Sequence, residues 1–303
     1  MTRRGPVRAV DGVSFTIAPG EVFGLAGESG SGKSTIAHAI LRVLRPPAVI
    51  TGGHIRFNGE DVLEMNQEEL EDFRWSQVSM VFQSAMNSLN PVLTVGEQII
   101  DVFDTHMKLP REEARERAAF LLDLVGIDKQ RLDSYPHQLS GGMRQRAVIA
   151  IALALNPPMM IMDEPTTALD VVVQKEIMQQ IEQLKEKMGF SIMFITHDLS
   201  LMVEFSDRIG IMYAGEIVEL APARELFEKP LHPYTQGLMN SFPPLSGPKK
   251  KLTGIPGAPP DMVAPPSGCR FHPRCGHVMS QCRSAAPRLQ EVSPGHWVAC
   301  HFY

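Results

Sequence analysis

Val22-Phe23-Gly24-Leu25-Ala26-Gly27-Glu28-Ser29-Gly30-Ser31-Gly32-Lys33-Ser34-Thr35 decides the fold. Its first five residues read as a buried strand. Its last three open a helix over residues 33–44, which Pro46-Pro47 closes. Between the two lies G-x-x-x-x-G-K-S, a loop suited to phosphate. Its glycines let the backbone wrap a phosphate closely enough for N–H groups to bond the oxygens. The helix N-terminus adds the positive end of its dipole. In that chemistry Lys33 bridges the β- and γ-phosphates and the Ser34 hydroxyl ligates Mg2+.

Outward from the loop, short apolar runs alternate with helical patterns. Strands are expected at residues 13–17, 22–26, 53–57, 78–82, 159–162 and 191–195, and around 209–213 and 216–220. Helices are expected at 95–125 with a break at Pro110, at 141–155, and at 171–187, where Ile177, Ile181 and Leu184 share a face. A short helix follows the strand at 191–195. This alternation is the mark of an α/β chain with a mainly parallel sheet and helices on both faces.

Composition limits the rest. The 303 residues are 44% hydrophobic and 21% charged, enough for one large domain or a domain of about 200 residues with a smaller companion. The longest apolar stretch, residues 147–155, is about half the roughly twenty residues a membrane helix needs. The N-terminal residues have no apolar core of a secretory signal, so a soluble cytosolic chain is expected. Acidic residues outnumber basic ones by 34 to 29, which argues against nucleic acid as a partner. Thirteen of the 24 prolines and all four cysteines follow Arg224, setting a boundary between 1–224 and a small loop-rich domain at 225–303.

Two further strings carry chemistry. The apolar run Met159 to Met162 ends in Asp163-Glu164, at the strand tip where ligands bind in such sheets. Asp163 is expected to hold Mg2+, usually through water, and Glu164 to polarise the attacking water as general base. A surface acidic pair is the bland reading, and the upstream phosphate loop outweighs it. Leu139-Ser140-Gly141-Gly142-Met143-Arg144-Gln145-Arg146 can be a helix start capped by Ser140. Capping does not explain paired glycines, which weaken a helix. Close approach of backbone to a phosphate does.

Taken in order, LSGGMRQR (139–146), MDEPTTALD (162–170) and ITHD (195–198) resemble the ATP-binding subunit of ABC transporters, over essentially the whole chain. The resemblance implies a P-loop NTPase fold of ABC type: a mainly parallel core sheet, an antiparallel β subdomain and a helical subdomain at about 84–140. It implies that ATP is held by Gly27, Glu28, Ser29, Gly30, Ser31, Gly32, Lys33, Ser34 and Thr35. Gln83 would contact Mg2+ and sense the membrane subunits. Ser140, Gly141 and Gly142 would bind the γ-phosphate of ATP on the opposite subunit, with Asp170 at the dimer interface. His197 would contact the γ-phosphate. Catalysis would then rest on Glu164, His197, Lys33 and Gln83, and Mg2+ on Ser34, Gln83 and Asp163. Segment 84–138 would dock on the membrane subunits. Met80, Met143, Met159, Met160 and Met162 are read as core filling.

The tail narrows the resemblance. Leu231-His232-Pro233-Tyr234-Thr235-Gln236, then Ile255-Pro256-Gly257, then Gly268-Cys269-Arg270-Phe271-His272-Pro273-Arg274-Cys275 resemble the ATPases of oligopeptide/dipeptide (peptide/nickel) permeases. LSGGMRQR and Ser88-Leu89-Asn90-Pro91 fit the D-type subunit, which commonly pairs with an F-type one; a homodimer stays open. The implied function is the ATPase of an importer of oligopeptides or dipeptides, peripheral on the cytoplasmic face of the cell membrane. Its implied partners are a second ATPase subunit, two transmembrane permease subunits and, indirectly, a solute-binding protein. Oligosaccharides or nickel complexes are the alternative solutes. A non-transport ABC ATPase, or a nucleotide-switched iron–sulfur module, is the alternative class.

The four cysteines, at 269, 275, 282 and 300, cluster tightly enough to act together. Related permease ATPases carry a four-iron, four-sulfur cluster, and that resemblance makes Cys269, Cys275, Cys282 and Cys300 its expected ligands. Zinc is the alternative, with reduced thiols behind it; disulfides do not suit the cytosol. Lys249-Lys250-Lys251 reads as a solvated linker run. The family carries a further strand and an adenine-stacking aromatic upstream of Ala9-Val10-Asp11-Gly12-Val13, which Met1-Thr2-Arg3-Arg4 does not supply. Either the start lies further upstream or adenine is held differently; the upstream start is the expectation, with weakened nucleotide affinity in this chain.

Overall fold

The computed structural model describes residues 5–83, 85–167, 169–241 and 254–303. In chain order its elements are β1 (Val22–Ala26), α1 (Lys33–Ile40), β2 (Arg56–Phe57), β3 (Glu60–Asp61), α2 (Gln67–Ser76), β4 (Val78–Val81), α3 (Val95–His106), α4 (Arg111–Leu124), α5 (Gly141–Ala152), β5 (Met159–Asp163), α6 (Val171–Met188), β6 (Ser191–Ile195), α7 (Leu199–Phe205), β7 (Arg208–Tyr213), β8 (Glu216–Pro222), α8 (Ala223–Glu228), α9 (Pro233–Asn240), β9 (Gln290–Ser293) and β10 (His296–Val298). Short 3-10 turns join several of them. The chain forms two compact units, one of Met1–Ile17, Val22–Ile55 and Phe194–Tyr303, the other of Ala18–Glu21 and Arg56–Met193.

In the first unit β1 runs parallel to β7, with Phe23 opposite Arg208 and Ala26 opposite Ile211. β7 turns back antiparallel into β8, β10 lies antiparallel on β8, and β9 on β10. The result is a mixed sheet. β1 is buried along its whole length. Gly24 interrupts its apolar run because a side chain there would come within 2.7 Å of the Ser206 hydroxyl and 2.9 Å of the Met202 side chain at α7. Asp207 pins the strand's start: its carboxylate accepts from the Val22 N–H at 2.8 Å, and its own N–H donates to the Val22 carbonyl. Tyr213, Tyr234, Phe23 and Leu25 are fully buried in this unit.

In the second unit β4 and β5 are parallel, Val78 opposite Met159 and Val81 opposite Met162. Every residue of both is buried, as continuous apolar runs in a parallel sheet require. Met80, Met159, Met160 and Met162 fill this core, while Met143 is half-buried. The helical break at Pro110 falls where the sequence puts it, between α3 and α4. α3 starts in a Thr94/Glu97 capping box. Asp170 caps α6, whose C-terminal Gly189 turns left-handed at φ 77°.

Several expectations are corrected. No strand forms at 13–17; the alternation is real, but it presses Phe15 flat on Phe23 at 4.8 Å without a ladder. The first helix ends at Ile40, short of the prolines, and the strand at 53–57 shrinks to Arg56–Phe57. α2, α8, α9, β3, β9 and β10 were not read from the sequence. The segment after Arg224, set apart by composition, joins the first unit, where β10 extends the sheet from β8. Lys249 to Lys251 and Met1 to Arg4 lie outside the described residues.

Candidate active site

In the first unit, β1 delivers the chain into Gly27. Glycine is obligatory at two points of the loop. A Cβ on Gly27 (φ +148°) would sit 2.1 Å from the Met212 carbonyl oxygen, and one on Gly32 (φ +108°) 2.3 Å from that of Ala9. The Ser31 N–H closes a turn onto the Glu28 carbonyl at 3.1 Å. Lys33 is buried, and its ammonium folds back over the loop, donating to the Gly27 carbonyl at 2.7 Å, the Glu28 carbonyl at 3.0 Å and the Ser31 hydroxyl at 3.3 Å. Ser34 and Thr35 are half-buried in the first turn of α1, which carries no acidic residue. A glycine cradle, a buried cation and an acid-free helix start suit a polyphosphate.

In the second unit, the β4–β5 register sets the geometry. Val81 lies opposite Met162, so the residues two further on, Gln83 and Glu164, emerge side by side at the strand tips. Gln83 donates its side-chain N–H to Glu164 at 2.9 Å, and the Thr167 hydroxyl donates to the same carboxylate oxygen at 3.1 Å. Glu164 leaves the strand at φ 49°, a backbone state that non-glycine residues seldom adopt. Asp163 before it is buried at the end of β5. The Ser34 hydroxyl in the first unit, and the Gln83 amide and Asp163 carboxylate in the second, are each hard oxygen donors of the kind Mg2+ prefers.

Ser140 caps α5, accepting from the Met143 N–H at 3.2 Å. The glycines after it have unequal surroundings. A Cβ on Gly142 would meet the Val173 side chain at 2.8 Å, whereas on Gly141 the nearest atom is 3.5 Å away. One of the pair therefore has a packing reason that sequence reading missed. Asp170 accepts from the Val172 and Val173 N–H groups, both at 3.1 Å, and Val171 and Val172 beyond it are exposed. His197 is exposed after β6, between buried Thr196 and Asp198, the cap of α7.

The four cysteines all line one small cavity of about 20 Å3. All are free thiols. Burial pushes Cys269 up to about 11 and raises Cys275 and Cys300. Among the described residues no group of three or more histidine, cysteine, aspartate or glutamate side chains could hold a metal ion. This corrects the iron–sulfur cluster, and the zinc alternative, expected at Cys269, Cys275, Cys282 and Cys300. Other contacts fasten the tail. Arg270 pairs with Asp11 and, at 3.1 Å, with Glu216, and donates to the Ala214 carbonyl. Buried Glu219 accepts from the N–H groups of Leu231 and His232 at 2.7 and 2.9 Å and pairs with buried His296 at 2.8 Å.

Residues 10–167 match the family described as "ABC transporter". The chain belongs to the ABC transporter family. It is an ABC-type ATPase, the class that works on ATP with Mg2+. Residues 218–282 of this ATPase match the family described as "Oligopeptide/dipeptide transporter, C-terminal region". Among its curated relatives, the oligopeptide transport ATP-binding protein OppD of Bacillus subtilis (strain 168) is 44% identical over 98% of this chain and 84% of its own. The dipeptide transport ATP-binding protein DppD of Caldanaerobacter subterraneus subsp. tengcongensis is 41% identical over 100% and 94%. Among solved structures, the dimeric ATP-binding cassette MJ0796 bound to ADP and Pi is 33% identical, with a TM-score of 0.62 over 71% of the ATPase and 91% of that chain. CbiO1 from Clostridium perfringens is 29% identical, with a TM-score of 0.65 over 73% and 84%. Among the described residues no helix of the ATPase is long and apolar enough to cross a membrane.

Proposed function

We propose that this ATPase energises an importer of oligopeptides or dipeptides, as a peripheral subunit on the cytoplasmic face of the cell membrane. The observation that carries the reading is that one chain joins a phosphate loop and a Glu164 carboxylate held by Gln83 to the C-terminal region of oligopeptide/dipeptide transporters. Residues 1–224 form the nucleotide-binding part, with a helical subdomain at about 84–140, and 225–303 the permease-type tail. Gly27 to Thr35 hold the ATP phosphates, with Lys33 on the β- and γ-groups. Ser34, Gln83 and Asp163 would hold Mg2+, which offsets phosphate charge when bound.

Glu164 accepts a proton from the attacking water as its oxygen bonds to the γ-phosphorus. The bond from that phosphorus to the bridging oxygen breaks, and ADP leaves. His197 steadies the γ-phosphate. The working unit is a dimer, with an F-type subunit or a second copy. Ser140, Gly141 and Gly142 meet the nucleotide of the opposite subunit, and Asp170 lies at the interface. Two transmembrane subunits complete the importer, and a solute-binding protein delivers the peptide.

Purification of the tagged chain from its native membranes tests this. Two membrane proteins and a second ATPase subunit should accompany it, and vesicles holding the complex should take up labelled di- or tripeptide only with ATP and intact Lys33. Membrane partners with no peptide uptake would overturn the solute; no membrane partner would overturn transport.

A further inference from the structure

Glu28 places a carboxylate inside a loop built for phosphate, where like charge opposes the ligand. The first unit answers this with three separate strings of the tail. From Cys269-Arg270-Phe271-His272-Pro273-Arg274-Cys275, Arg274 grips the carboxylate with both prongs, Nη1 at 2.7 Å from Oε2 and Nη2 at 3.0 Å from Oε1. From Ile255-Pro256-Gly257, the Pro256 carbonyl accepts from Arg274 Nε at 2.8 Å and aims the guanidinium. From His232-Pro233-Tyr234, the buried Tyr234 hydroxyl accepts from the Glu28 backbone N–H at 2.8 Å.

An aromatic wall fixes these groups. Tyr213 packs on Tyr234 at 4.6 Å and meets Phe271 edge-on at 5.2 Å, and the Arg274 guanidinium lies 5.8 Å from the Tyr213 ring centre. The arginine side chain is only 5% exposed, and Glu28 25%. The pairing with Glu28 raises the Arg274 pKa, so its charge is permanent. A 3-10 turn at His272–Arg274 presents the guanidinium. Glu28 is thus held at side chain and backbone, both times by residues more than two hundred positions away.

We infer that the tail is a brace for the phosphate loop: Arg274 and Tyr234 are positioning residues that neutralise Glu28, hold it away from the phosphates and set the loop for MgATP. This rests on the reading of residues 27–34 as the phosphate site. It gives the three tail strings one shared purpose, which their wide spacing conceals. Because the brace acts on binding, its loss should appear in Kd and KM more than in kcat.

A double-substitution cycle on the full chain tests it, reading MgATP affinity with a fluorescent ATP analogue. Arg274→Met should weaken binding about fivefold or more when Glu28 is present, and less than about twofold in a Glu28→Gln background, because the repelling charge is then gone. Turnover at saturating ATP should change by no more than about twofold. Unchanged affinity in folded Arg274→Met, or equal loss in both backgrounds, would overturn the brace. If Arg274→Met does not fold, Arg274→Lys and Tyr234→Phe carry the same test, and wild-type affinity in both would overturn it. Lys33→Ala separates the two readings. Wild-type affinity there sinks the loop assignment and the brace together; lost affinity there, beside wild-type affinity in Arg274→Met, sinks the brace alone.

Discussion

Glu164 has two hydrogen-bond donors on one oxygen, Gln83 and Thr167. Both hold the carboxylate proposed as the base, so its position is fixed before substrate arrives. Glu164→Gln keeps the shape and removes the basicity. ATP hydrolysis should fall by about a hundredfold or more while MgATP still binds and the closed dimer accumulates, measured by phosphate release and by size-exclusion chromatography. Full activity in this variant would remove Glu164 from the role of base. Gln83→Ala removes one of these donors, and turnover should fall about tenfold with smaller change in KM. At this scale the strings behind the proposed chemistry were legible, because loop, carboxylate pair and signature are each contiguous. The Gln83–Glu164 bond was not, since it depends on a register between two strands that no local pattern records. Arg274 and Tyr234 stand in recognisable tail strings, yet nothing local says that they reach Glu28.

Elements were legible where burial dictates a period. β1, β5 and β6 fall at their expected places, as does the interruption between α3 and α4. α2 is polar on most faces, and its signal is the Asn66/Glu69 capping box rather than periodicity. β9 and β10 are short, turned at Pro294-Gly295, and exist because β8 offers an edge. The α5–α6 contact allows a prediction at this level. Gly142→Ala should improve helix propensity, but its methyl meets Val173 at 2.8 Å, tighter than a packed neighbour tolerates. We expect a net loss of about 1 kcal/mol in stability by urea unfolding. Val173→Ala in the same chain should return the loss, leaving the helix gain visible. If Gly142→Ala alone is stabilising, the packing account of that glycine fails.

Over the whole molecule, the join between tail and sheet is a set of buried ionisable groups, which makes stability depend on pH. Burial lowers His232 to about 4, against a pull from Glu219, and its neutral Nδ1 accepts the Tyr234 N–H that starts α9. A histidine with a depressed folded pKa gives stability above its unfolded value near 6.5 and loses it as pH falls toward 4. Between pH 7 and 5 this amounts to about 2 kcal/mol. His296 has the opposite sign: burial works against its charge, but Glu219 and Glu225 outweigh that and raise it. Its share is complete below about 6.5 and fades as pH climbs through the raised value. Thermal melts from pH 5 to 8 should therefore peak near 6.5. His232→Asn, which keeps an acceptor for the cap, should flatten only the acid side; an unchanged acid limb would refute the assignment. That the tail is different was legible from prolines and cysteines. That charged contacts fasten it was not, because four clustered cysteines draw the reading toward a metal.

Arg274 stands 246 positions after the glutamate it grips, and a ribosome adds roughly 5–20 residues per second. For something on the order of 10–50 seconds, each growing chain carries its nucleotide loop without the residues that steady it. Nascent and prematurely terminated chains that end before Arg274 should hence bind MgATP more weakly than the finished chain. Placing the brace late in the message makes full nucleotide affinity a property of the finished chain.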